Sequence, residues 1–141
     1  MPDHLEGAKL ETFAWDGPAY EAFPKSHDWF GDGSVVLVPL AGHTPGSFGA
    51  FVKLHGGQRA LFIGDAAWNR EAIRLPSHKL KMLHNLTDSD DAATSDTLWH
   101  LHHLAEHDPA LLIVPTHDGD ACLELGLLQA AGPADVKVAK P

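Results

Sequence analysis

Three short apolar runs, each closing on a turn marked by glycine or proline, constrain most strongly how this chain can fold. Val35-Val36-Leu37-Val38 is bounded by Ser34 and Pro39 and is rich in the β-branched side chains that suit a pleated surface. Ser47 to Leu54 and Ala60 to Ile63 are two further strands, separated by Leu54-His55-Gly56-Gly57-Gln58. Two strands flanking a Gly-Gly turn predict an antiparallel pair. Leu111-Leu112-Ile113-Val114 predicts a buried strand. Between the third and fourth strands, Asp88 to His107 predicts a helix, capped by Asp or Ser, with Leu98, Leu101, Leu104 and Ala105 as its apolar stripe and Pro109 just past its end. Ala121 to Ala130 predicts a last helix, stopped by Gly132-Pro133. Ala8 to Trp29, broken by Asp16-Gly17-Pro18 and Phe23-Pro24, is read as a short helix or irregular segment, and Arg70 to Leu86 has no single reading. The order strand, strand, strand, helix, strand, helix is an α/β pattern in which sheet ends feed loops.

A chain of 141 residues is long enough for one domain and one core, so residues 1–141 are read as a single domain. With 44% apolar and 21% charged residues it should be globular and not disordered. A formal charge of -9 argues against a nucleic acid or an anionic membrane as partner, because both are bound through basic patches. No apolar run approaches the roughly 20 residues that span a bilayer. The first residues lack the charged-then-apolar pattern of an export signal. Cys122 is the single cysteine, so no intramolecular disulfide can form, which fits a cytoplasmic location.

Eleven histidines invite a search for spacing. Three loops follow strands, and each presents a metal-binding side chain near its start. His43 lies in Gly42-His43-Thr44-Pro45-Gly46, Asp65 in Ile63-Gly64-Asp65, and His117 in Pro115-Thr116-His117-Asp118. Ligand sites in α/β sheets collect in the loops beyond strand ends. Imidazole nitrogen and carboxylate oxygen suit Zn²⁺, and also Fe or Mn. Taken singly, each has an ordinary explanation: Gly-Asp after a strand is a common turn, and a lone histidine is commonly a surface or capping residue. Gly-His-Thr-Pro-Gly is more specific, because two glycines and a proline shape the loop around the histidine. Three such loops on three strand ends are far less expected by chance than any one.

These motifs, in this order, resemble the later metal motifs of the metallo-β-lactamase superfamily, and the resemblance spans Val35 to Asp118. The family's earlier motif, His-x-His-x-Asp-His, is similar in its second half to Pro2-Asp3-His4-Leu5-Glu6-Gly7-Ala8. Asp3 and His4 match its last two ligands; Met1 stands where the second histidine would fall, and the first would precede the chain. The resemblance implies an αββα sandwich, present mainly as its C-terminal half and truncated at the N-terminus. It implies metal ligands Asp3, His4, His43, Asp65 and His117: His43 in one site, Asp3, His4 and His117 in a second, and Asp65 bridging both. One or two Zn²⁺ ions, or Fe or Mn, are the implied cofactors.

The implied activity is hydrolysis of a small-molecule substrate, a metal-bound hydroxide attacking an ester, thioester, lactone or amide carbonyl, with Asp65 and His117 as the catalytic pair. Asp118 is placed to orient His117 from behind. The alternative is a catalytically inactive fragment that binds one metal or none, since four protein ligands on the second site leave no open position. A redox di-iron member of the superfamily shares the same ligands. Half a sandwich leaves a sheet face uncovered, which favours a homo-oligomer. Trp68 either walls a substrate pocket or packs in the core. His100, His103 and His107 share one helical face and are read as solvated. His78 and His84 have no assigned place, and Cys122 is read as a buried helix residue, not a nucleophile.

Overall fold

The computed structural model describes residues 12–75 and 88–126. They form one five-stranded mixed sheet in the order β1-β2-β3-β4-β5. The strands are β1 (His27–Asp28), β2 (Val35–Pro39), β3 (Phe48–Lys53), β4 (Arg59–Gly64) and β5 (Leu112–Pro115), and the helices are α1 (Arg70–Arg74), α2 (Asp91–His107) and α3 (Gly119–Glu124). A single 3₁₀ turn, His55–Gly57, joins β3 to β4, with Gly56 and Gly57 at φ +83° and +86°. Only glycine takes that region without strain, which is why the Gly-Gly pair makes the hairpin.

The predicted strands stand where the apolar runs placed them, and β3 and β4 pair antiparallel as expected. β1 is an addition. Its two residues pair with β2 through His27↔Leu37 and Asp28↔Val36. Ahead of it the chain is irregular, held by bridges between Gly17 and Ser26 and between Tyr20 and Phe23. α1 settles the start of the ambiguous segment: Asn69 caps it by accepting from the Ala72 N–H. Asp90 caps α2 in the same way, accepting from Ala93. α3 begins at Gly119, two residues before the predicted start; the predicted end at Ala130 and the stop at Gly132-Pro133 lie outside the described residues.

β2 and β3 are antiparallel, β3 and β4 are antiparallel, and β4 and β5 are parallel. β2, β4 and β5 therefore run in one direction and release their C-terminal ends at one edge of the sheet. α1 and α2 cover one face, where Val36, Val38, Phe51, Leu61, Ile63 and Ile113 meet Ile73, Leu98, Leu101 and Leu104 in the main core. α3 covers part of the other face, where Ala121 packs with Ala60, Leu112 and Val114. β5 is buried along its whole length, as a parallel strand covered on both faces should be. Farther along that second face Phe48 remains 46% exposed. No described helix is long and apolar enough to cross a membrane.

Candidate metal centre

The loops that leave β2, β4 and β5 carry His43, Asp65 and His117, so strand direction alone brings the three together. Gly64 ends β4 at φ +55°, a conformation natural to glycine, and the chain turns at once, with the Ala66 N–H donating to the Ile63 carbonyl (3.2 Å). The Thr116 N–H donates to the Gly64 carbonyl (3.1 Å), which ties the loop of His117 to that of Asp65.

Asp65 lies between the two imidazoles. His117 Nε2 stands 3.3 Å from Asp65 Oδ1, and His43 Nε2 stands 3.9 Å from Asp65 Oδ2. Asp65 Oδ1 is shielded from solvent yet accepts no hydrogen bond among the described residues; the approach of His117 is close but not aligned for one. A buried acceptor left without a donor costs about 1–3 kcal/mol, so an orphaned carboxylate oxygen beside the His117 imidazole, on a carboxylate whose other oxygen faces His43, fits a position meant for a cation. The donor chemistry, two imidazoles and a carboxylate, fits a divalent ion as well. Among the described residues no group of three or more His, Cys, Asp or Glu side chains is gathered closely enough to hold an ion; the two histidines approach Asp65 separately. Asp3, His4, His78 and His84 lie outside the described residues.

The loop of His43 is built against the head of α2. The Gly42 carbonyl accepts from the Ser89 N–H (3.0 Å), the Asp90 N–H (3.1 Å) and Ser89 Oγ (2.9 Å), and the Thr97 hydroxyl donates to the Ala41 carbonyl (2.7 Å). Gly42 sits at φ +136°, and a Cβ there would stand 2.5 Å from Thr94. At the far side of the loop, Thr44 Oγ1 and Ser47 Oγ lie 2.8 Å apart and the Ser47 N–H donates to the Thr44 carbonyl (3.2 Å). His43 Nδ1 meets Asp88 Oδ1 at 3.1 Å, and the Asp88 side chain is only 3% exposed. The sequence reading missed Asp88 because it stands among the acidic and hydroxyl residues of a helix start and reads as part of the cap.

Asp118 does not orient His117 as expected. Its Oδ1 accepts from the Ala121 N–H (3.0 Å), capping α3, and its Oδ2 accepts from the Arg70 N–H (2.9 Å). Burial pushes this carboxyl up, but the two backbone donors and the Arg70 guanidinium outweigh it and hold Asp118 below the usual carboxylate range. Arg70 in turn pairs with Glu124 (2.6 Å), so Asp118 and Arg70 fasten α1 to α3 directly behind the site.

Trp68 is a wall and not a core residue. It is 46% exposed and, with Asn69 and His117, lines a cleft of about 410 Å³. A larger cavity of about 560 Å³ lies between α1, α2 and β5, among Ile73, His102, Leu111 and Ile113, and holds none of His43, Asp65 or His117. His100, His103 and His107 are exposed, in keeping with a solvated face; His102, on the same helix, turns inward and meets the Ile73 carbonyl at 3.0 Å through Nδ1. Cys122 is half-buried beside the second core.

No protein-family model matches the chain. It is 36% identical to a probable metallo-hydrolase of Mycobacterium bovis and, equally, to one of Mycobacterium tuberculosis; each comparison covers 81% of this chain. The chain spans 38% of the length of these curated relatives. It is also similar to a solved structure of an N-acyl homoserine lactone hydrolase with the product N-hexanoyl-L-homoserine at its catalytic metal centre, with a TM-score of 0.52 and 15% identity over 74% of this chain and 36% of that one. That likeness gives the fold: a mixed α/β unit corresponding to part of the αββα sandwich. The ordered motifs and the fold point the same way: in sequence the chain is similar to probable metallo-hydrolases, and in fold to part of that lactone hydrolase.

Proposed function

We propose that this chain carries part of the active centre of a metal-dependent hydrolase acting on an ester, thioester, lactone or amide carbonyl of a small molecule. The observation that carries the reading is the Asp65 carboxylate, set between the two histidines at the shared end of β2, β4 and β5, with its orphaned Oδ1 toward His117 Nε2 and its Oδ2 toward His43 Nε2. His43, Asp65 and His117 would hold the ion, joined by Asp3 and His4 through the family motif they resemble. A bound divalent ion supplies Lewis-acid polarisation of a carbonyl and activates water near neutral pH. The protein's own part is positional. Asp65 offers one carboxylate oxygen to each histidine, and the turn at Gly64 fixes where those oxygens point. His117 stands at the open side of the site, 62% exposed, beside the Trp68 cleft. The indole there can take the apolar part of a substrate while its carbonyl lies against His117 and Asp65.

The second reading, an inactive fragment binding one metal or none, is favoured by the absence of a gathered three-donor group among the described residues. Hydrolysis of an N-acyl homoserine lactone, the substrate class of one protein of this fold, separates the two. The hydrolase reading expects turnover that a chelator abolishes and Zn²⁺, Mn²⁺ or Fe²⁺ restores. Metal retention without turnover of that lactone or of ester and thioester probes supports the fragment reading.

A further inference from the structure

We propose that Asp88 is the positioning residue of the site: it holds the His43 imidazole with the proton on Nδ1 and leaves the Nε2 lone pair facing Asp65. This rests on the proposed role of His43 as a metal ligand, and the test below separates the two.

The geometry needs both ends of the ring. Nδ1 lies 3.1 Å from Asp88 Oδ1, and Nε2 lies 3.9 Å from Asp65 Oδ2. A carboxylate can only accept, so the nitrogen it meets must be the one that carries the proton. A neutral imidazole has one proton, so fixing it on Nδ1 leaves Nε2 unprotonated, the form in which it can donate to a cation. With an ion bound at Asp65, the opposite tautomer would turn an N–H toward it and a lone pair toward the Asp88 carboxylate; without the ion, Nδ1 at 3.1 Å from Asp88 is within hydrogen-bond reach and Nε2 at 3.9 Å from Asp65 is not, so the proton is held at Nδ1.

The pair is also held rigidly. The Asp88 side chain is nearly excluded from solvent, and His43 is 27% exposed, so the contact is shielded from competing water. Both residues belong to one hydrogen-bonded unit. Ser89 and Asp90, which follow Asp88, bind the carbonyl of Gly42, which precedes His43, and the Ser89 N–H also reaches the His43 carbonyl (3.2 Å). Capping of α2 does not explain Asp88, because the cap is Asp90. What Asp88 adds is an orientation of the ring that the backbone contacts alone do not set.

The test uses the chain free of metal and then loaded with Zn²⁺. Nitrogen-15 NMR of the imidazoles in the metal-free chain, at a pH where His43 is neutral, should find His43 as the Nδ1–H tautomer. In Asp88→Ala it should shift toward the Nε2–H form with the fold intact by circular dichroism. Zn²⁺ affinity should fall by about 10–100-fold, the usual effect of losing an outer partner of a metal-bound histidine. Asp88→Asn, whose amide oxygen can still accept from Nδ1, should keep the fold and recover part of both properties, and it stands in if the alanine variant does not fold. A His43 tautomer unchanged in folded Asp88→Ala overturns the proposal, as does an Asp88→Asn variant whose tautomer and Zn²⁺ affinity are both identical to the parent's. If His43→Ala binds Zn²⁺ as tightly as the parent chain, the role of His43 as a ligand fails; the tautomer measurement still decides what Asp88 does.

Discussion

At the scale of single residues, the site depends on two positions chosen for opposite reasons. Gly42 is there because nothing larger fits. Its φ of +136° and the 2.5 Å approach of Thr94 to where a Cβ would stand leave no room for alanine. Gly42→Ala should therefore destabilise the chain by about 1–3 kcal/mol, read by chemical denaturation, and weaken metal retention by shifting His43; unchanged values for both would show that the loop is not clamped as described. Asp88 is there for its chemistry, and no local signal announced it. It lies 45 positions from His43, in a run where acidic residues are expected for capping alone. His43, Asp65 and His117 stood out as candidates because each sits in a turn next to a strand end, a pattern visible within a few residues. Asp118 was misread for the complementary reason: adjacency to His117 suggested a partnership, whereas the backbone turns the carboxylate toward Ala121 and Arg70.

At the scale of elements, period and turn chemistry were enough for the longer pieces. β2 to β5 and α2 were readable because their apolar residues repeat with a clear spacing, and Leu98, Leu101 and Leu104 are the buried stripe of α2. β1 was not readable, since two residues carry no period and the strand exists only because β2 offers an edge to pair with. α1 is a five-residue helix whose Asn69 cap is the one local cue. The buried hydroxyls of Thr94 and Thr97 mark the side of α2 that grips the strand-end loop, a role invisible to hydrophobic spacing. α2 is held to the sheet by its stripe, so Leu101→Ala, at a fully buried position, should cost about 2–5 kcal/mol of stability. A loss below about 1 kcal/mol would mean that the helix does not pack on the sheet as described.

At the scale of the whole molecule, topology is what turns scattered motifs into a site. Three parallel-running strands, with an antiparallel partner between β2 and β4, put three loops at one edge. The chain spans 38% of its curated relatives, and Asp3 and His4 lie outside the described residues, so the described part of the candidate site is the shared Asp65 with a histidine on either side. That arrangement makes one claim central: these three side chains hold a divalent ion through Asp65. Metal analysis of the purified chain after equilibration with Zn²⁺ and removal of the excess tests it directly, with Asp65→Asn as the comparison. At least one ion should be retained per parent chain and little or none in the variant. A parent chain that retains no ion, or a variant that retains as much as the parent, would contradict it.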